Sequence, residues 1–180
     1  MNCAPFLNES LLIQVTLSVG ETSIAKTKGH VCIFCGKLQQ KLQRHQRRQH
    51  KTEAEVAAAM SLPEGSEKQI LAFEKLRHQG DYHHNCDVLA LGQGELIVVR
   101  APKEKNPDPE SFLPCPHCLG FFRREELWRH RQTCPHRPNE DQKKWTKVQQ
   151  EAATLLPTSF LSTKGVNKTF HDTVLSCMKK

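Results

Sequence analysis

Two cysteine knuckles constrain this chain more than any other feature: Cys32-Ile-Phe-Cys35 and Cys115-Pro-His-Cys118, each followed by two further metal-type ligands. In the first cluster nine residues separate Cys35 from His45, and four separate His45 from His50. In the second, eleven separate Cys118 from His130, and three separate His130 from Cys134. Two intervening residues fold a Cys-x2-Cys segment into a tight turn with both thiolates on one side. Ligands four or five positions apart on a helix share a face, so each cluster can close a tetrahedron of four donors. Each also sets an aliphatic residue three positions before its first histidine (Leu42 and Leu127), where a very small core needs one, and Phe122 stands four after Cys118.

Composition points the same way. Hydrophobic residues make up 37% of 180, and ten prolines interrupt what apolar content there is, so a staple such as a metal has to stand in for a large core. Disulfides are the rival use of cysteine. The apolar stretch over 6–19 has no basic flank and is interrupted by Asn8, Glu9, Ser10, Gln14 and Thr16. It reads as an amphipathic strand or a disordered tail, not as a signal peptide. No run approaches the roughly 18 apolar residues of a membrane span. A reducing compartment and metal ligation follow as the expectation. Two structural zinc ions, each closed by four protein ligands, are the expected cofactors, and closed sites argue against zinc hydrolysis. Neither a Gly-rich phosphate loop nor a Ser-His-Asp arrangement is recognisable, so neither an enzyme nor a small-molecule substrate is expected.

The segment Cys118-Leu-Gly-Phe-Phe-Arg-Arg-Glu-Glu-Leu-Trp-Arg-His130 resembles a zinc finger of the two-Cys two-His class, with Cys134 replacing the final histidine. Both clusters together carry that resemblance over about 45 of 180 residues. They depart from it in the central gap, usually about twelve residues but eleven and nine here. The shorter gap trims or removes the second strand of the first finger and obliges Leu38 to serve as core. The resemblance implies nucleic-acid contact and a nuclear location. Counted from Leu127 and His130, the base-contacting helix positions −1, 3 and 6 fall on Arg123, Glu126 and Arg129, a set suited to a G/C-rich triplet. The finger pair with its intervening segment also resembles the front end of transposon-derived vertebrate proteins, whose longer members carry a tyrosine-recombinase-like domain. The chain would then be the opening part of a longer protein.

The formal net charge is +7, and its distribution is uneven. Residues 22–52 hold eight Lys or Arg and no acid, residues 53–112 hold eleven acids against six bases, and residues 113–147 hold eight bases against four acids. Positive charge thus concentrates on the fingers, as an electrostatic footprint for phosphates would. Lys37, Lys41, Arg44, Arg47 and Arg48 are the expected contacts on the first finger, and Arg123 and Arg129 on the second, with DNA favoured over RNA. The rival expectation is a protein-interaction module that docks a partner through the fingers and a C-terminal helix.

The expected fold class is a set of small zinc-stabilised α+β modules joined by a mainly helical connector and flexible linkers. Residues 1–28 read as a tail, 29–51 as the first finger and 52–100 as a helical connector with a short β-hairpin. Residues 101–112 read as a Pro-rich linker, 113–135 as the second finger and 136–180 as a C-terminal helical segment. Within the connector, Thr52 and Glu55 form a capping-box pattern. A helix over 66–79 is expected to end at Gly80 as its C-cap, and Gly92-Gln93-Gly94 should turn a hairpin between Val88–Leu91 and Glu95–Arg100. Asn139 is placed to cap a helix bearing Trp145, Val148, Ala152 and Leu155, stopped by Pro157; a last helix should start near Thr169. His78, His83, His84 and Cys86 are dense in donors but lack a knuckle pair, and no third zinc site is expected there.

Overall fold

The computed structural model describes residues 15–17, 29–100, 108–138 and 147–157. Strand β1 (Val15–Leu17) leads, followed by a short antiparallel hairpin of β2 (His30–Val31) and β3 (Leu38–Gln39), then α1 (Leu42–Gln49) and α2 (Ala54–Ser61). Helix α2 begins one residue later than a Thr52 cap requires. Glu53 is its N-cap, without a side-chain capping bond, so the capping box is not formed. Leu62 ends the helix in an extended conformation ahead of Pro63, as a pre-proline residue must.

Helix α3 (Glu67–Leu91) runs for 25 residues. Ser66 caps its start by accepting from the Gln69 N–H at 3.2 Å, and Gly92, left-handed at φ 67°, caps its end. Gly80 is therefore not a terminus. It sits mid-helix because a Cβ built there would lie 2.0 Å from the Val31 carbonyl oxygen: the helix meets the backbone of β2 where only glycine fits. The expected hairpin around Gly92-Gln93-Gly94 is absent as well. Val88–Leu91 is the last turn of α3, and β4 (Gly94–Leu96) pairs in parallel with β1, Val15 opposite Gly94 and Leu17 opposite Leu96. Of the two readings of 6–19, the strand holds at Val15–Leu17.

Part of the expected linker is also structured. Asp108 caps a 3-10 turn at Pro109–Ser111, and β5 (Phe112–Pro114) follows, with Phe112 and Leu113 in the core. Residues 101–107 lie outside the described residues. Strand β5 pairs antiparallel with β6 (Phe121–Arg123), and α4 (Leu127–Thr133) completes the unit. Helix α5 (Val148–Thr154) starts from Lys147 and buries Val148 and Ala152. Asn139, Trp145 and the helix expected near Thr169 lie outside the described residues.

The architecture is a small α+β fold in which both Cys/His units pack against α3. The larger apolar cluster joins Val88 and Leu89 of α3, Leu96 and Val98, and Val148 and Ala152 of α5 to Phe121 and Leu127 of the second unit. A smaller one joins Val56, Ala59, Phe73 and Leu76, with Phe34 of the first knuckle against it. Polar bonds lock the same contacts. Asn85, fully buried, donates from Nδ2 to the Ile97 carbonyl and accepts from the Ile97 N–H, both at 2.8 Å. Tyr82 donates its hydroxyl to the Leu155 carbonyl at 2.6 Å. Among the described residues, both units are therefore in contact with the same helix.

Candidate metal centres

The two knuckles fold alike although their sequences differ. The N–H of the residue after the second cysteine donates back to the first cysteine's carbonyl, from Gly36 to Cys32 at 2.8 Å and from Leu119 to Cys115 at 2.9 Å. The first cysteine's N–H then bonds the carbonyl five residues on, Lys37 or Gly120, at 3.0 and 2.9 Å. That turn requires a left-handed residue, supplied by Gly36 at φ 66° and by Leu119 at φ 62°. A leucine in this region carries strain of about 1–2 kcal/mol, which the second knuckle tolerates where the first avoids it.

Helix α1 then carries His45 and presents His50 at its C-cap, while α4 carries His130 and ends at Cys134. Leu42 and Leu127 are both buried beneath them. Leu38 is not core: it is 65% exposed, because the hairpin is two residues per strand and turns its end outward.

Cys32, Cys35, His45 and His50 bring four donor atoms within 4.8 Å of one another, and so do Cys115, Cys118, His130 and Cys134. Cys35 Sγ lies 3.3 Å from His45 Nε2, Cys118 Sγ 3.3 Å from His130 Nε2, and Cys115 Sγ 4.0 Å from Cys134 Sγ. A tetrahedral ion with bonds of about 2.0–2.3 Å has donor–donor edges of about 3.3–3.8 Å, so the donors stand close to where an ion would hold them. His50 Nε2 is buried with no hydrogen-bond partner among the described residues, an orphan of the kind a metal satisfies. Each cluster could hold a metal ion, and soft thiolates with imidazoles are consistent with zinc.

The electrostatics fit ligation. Burial, then the neighbouring His50 and Lys37, lowers the His45 pKa and keeps its imidazole neutral. Burial raises the Cys32 thiol. At the second centre, hydrogen bonds from Cys118 and then Cys134 pull the Cys115 thiol down, while its partnership with Cys115 pushes Cys118 up. Burial disfavours a charged His130, yet hydrogen bonds to Cys115 and Cys134 and their charge raise it to about 9. The protons held there are those an incoming cation would displace. The second centre is the more enclosed, with Cys115, Cys118 and Cys134 all buried, whereas Cys35 is exposed.

Residues that the motif does not contain dock these centres. Asp81 on α3 accepts from the Val31 N–H at 3.0 Å and pairs with His30 Nδ1 at 2.7 Å. His78, buried nearby, is lowered to about 4 by burial first and by Arg77 second. Sequence reasoning missed them: His78 looks like one more polar position of the helix, and Asp81 falls beyond the stop expected at Gly80. His78, His83, His84 and Cys86 form no donor group among the described residues, and His84 bonds the Glu95 carbonyl instead.

The cations divide. Lys37, Lys41, Arg44 and Arg48 are exposed. Arg47 turns inward, donating to Gln69 Oε1 at 2.9 Å and lying 5.1 Å over the Phe73 ring. It ties α1 to α3 and also pairs with Glu64 at 3.3 Å. On the second unit Arg123 lies on β6 and Glu126 is the N-cap of α4, so of the expected triad only Arg129 rises from the helix, 5.2 Å from the Trp128 ring. Comparison with known protein families, curated proteins and solved structures finds no match to this chain.

Proposed function

We propose that this chain is a zinc-dependent nucleic-acid-binding protein of the nucleus that holds one structural zinc at each Cys/His centre and contacts DNA through phosphates. It is a binding module and not an enzyme. The observation that carries the reading is the first unit's surface. Lys37, Lys41, Arg44 and Arg48 are exposed, form no ion pair among the described residues, and sit in a stretch without any acid from 22 to 52. Such a one-signed surface repels itself unless a polyanion neutralises it.

The test is binding of the zinc-loaded chain to random-sequence DNA across a salt series. Each phosphate contact should add about 0.9 to the slope of log affinity against log salt. Arg48→Ala should weaken binding to all sequences alike and lower the slope. Arg47→Ala should chiefly lower stability, because that side chain is spent on Gln69 and Phe73. Affinity that ignores salt would overturn the proposal. A second reading, protein docking, draws on Trp128, which is 46% exposed on α4 and offers an aromatic anchor of the kind interfaces use.

A further inference from the structure

A cleft of about 610 Å³ separates α1 of the first unit from α3, within the range of small-ligand sites. Its α1 wall carries Lys41, Arg44 and Gln46, and its α3 wall Ile70, Glu74 and Arg77. Three properties mark it. Glu74 and Arg77 neutralise one another at 2.9 Å, which leaves Lys41 and Arg44 as uncompensated charge. Ile70 is 56% exposed and offers an apolar platform. Gln46 is 1% exposed, and its Nε2 has no hydrogen-bond partner among the described residues. A buried amide without an acceptor costs about 1–3 kcal/mol, and a ligand that accepts from it would recover that.

From this cleft we infer that the first unit binds single-stranded nucleic acid and seats one unpaired nucleotide between α1 and α3, a reading that rests on the proposed function. Duplex is disfavoured by geometry. The major groove, about 12 Å wide, admits one helix, and a helix with side chains already measures about 10–12 Å. With α3 alongside, the cleft face of α1 cannot enter that groove, whereas a flexible strand can enter the cleft. Lys41 and Arg44 then hold the flanking phosphates, the base rests on Ile70, and the Gln46 amide donates to an acceptor on the base edge. An acidic peptide matches the cations but offers no flat face to Ile70.

The experiment measures binding of the full zinc-loaded chain to labelled DNA and RNA strands of one sequence and to the corresponding DNA duplex. Wild type is compared with Ile70→Gln and Ile70→Phe, both at an exposed helical position and both leaving the charge of the cleft unaltered. The expected result is tighter binding of either strand than of duplex, at least a threefold loss of strand affinity in Ile70→Gln, retained affinity in Ile70→Phe, and unchanged duplex binding in both. Tighter binding of duplex than of strand, or equal strand affinity in wild type and Ile70→Gln, overturns the inference and leaves the proposed function standing. Displacement of the strand by a polyglutamate of equal charge also overturns it, in favour of an acidic peptide. Binding to no nucleic acid at low salt overturns both.

Discussion

Replacing Gly80 by alanine tests the docking of the first unit on α3, because two physical arguments predict opposite signs. In a mid-helix position alanine should stabilise by about 1 kcal/mol through propensity alone. The structure opposes that gain. The new Cβ would lie 2.0 Å from the Val31 carbonyl oxygen and 3.0 Å from the Ile33 nitrogen, both backbone atoms that cannot rotate aside. Restoring ordinary contact requires β2 to withdraw by more than about 1 Å. The bonds from Asp81 to His30 and to the Val31 N–H, at 2.7 and 3.0 Å, then exceed hydrogen-bonding reach. Bonds to a charged group contribute about 1.5–3 kcal/mol each. Net of the propensity gain, Gly80→Ala should destabilise by about 2–5 kcal/mol. Denaturant titration of the metal-loaded chain measures it, and amide shifts at Val31 and Ile33 localise it. A variant stabilised by about 1 kcal/mol, with those amides unmoved, would refute the docking.

Three further outcomes follow from named groups. Zinc binding at the second centre should release protons, since His130 is raised to about 9 without metal and must be neutral to ligate; affinity should therefore rise with pH, which titration in buffers of different ionisation heat will show. His78, lowered from 6.5 to about 4 in the fold, supports stability fully above 6.5, and that support is lost as pH falls toward 4, by about 3 kcal/mol; a His78→Gln variant with the same acid-side slope as wild type would refute this. Asn85→Ala strands both polar groups of Ile97 and should cost about 2–4 kcal/mol by denaturant titration, and a loss below 1 would show that water replaces the amide.

What the sequence discloses is what is encoded locally. Ligand spacing is such a property, and all eight donors converge in two groups of four. The glycines mislead because a glycine signals the need for room or for a left-handed turn without saying which. Gly80 has room made for Val31, about fifty positions away in the chain, and reads locally as a stop. Gly92 is a stop but was expected to turn a hairpin, since the β-branched and aliphatic residues around it also suit a helix end. Arg47 cannot be told from Arg44 or Arg48 by charge; only Phe73 and Gln69 across the cleft single it out.

The two centres should differ in what their loss destroys, although their ligand sets look alike. Cys115, Cys118 and Cys134 belong to the larger apolar cluster, alongside Val88 and Leu89 of α3 and Val148 and Ala152 of α5. The first centre touches a cluster of four buried residues through Phe34 and is otherwise held by Asp81 and by Arg47 on Gln69 and Phe73. Structural zinc supplies about 10–16 kcal/mol of apparent folding energy to a small finger, as much as the whole stability of an ordinary domain. Cys115→Ser should therefore loosen the second unit, α5 and the C-terminal half of α3 together. The first unit should follow, since its Asp81 anchor lies in the middle of that helix. Cys32→Ser should release the first unit alone and leave the larger cluster intact. Amide hydrogen exchange on each metal-treated variant reads the difference residue by residue. If each substitution unprotects its own unit and nothing else, the fingers are tethered and not docked, and α3 is a spacer.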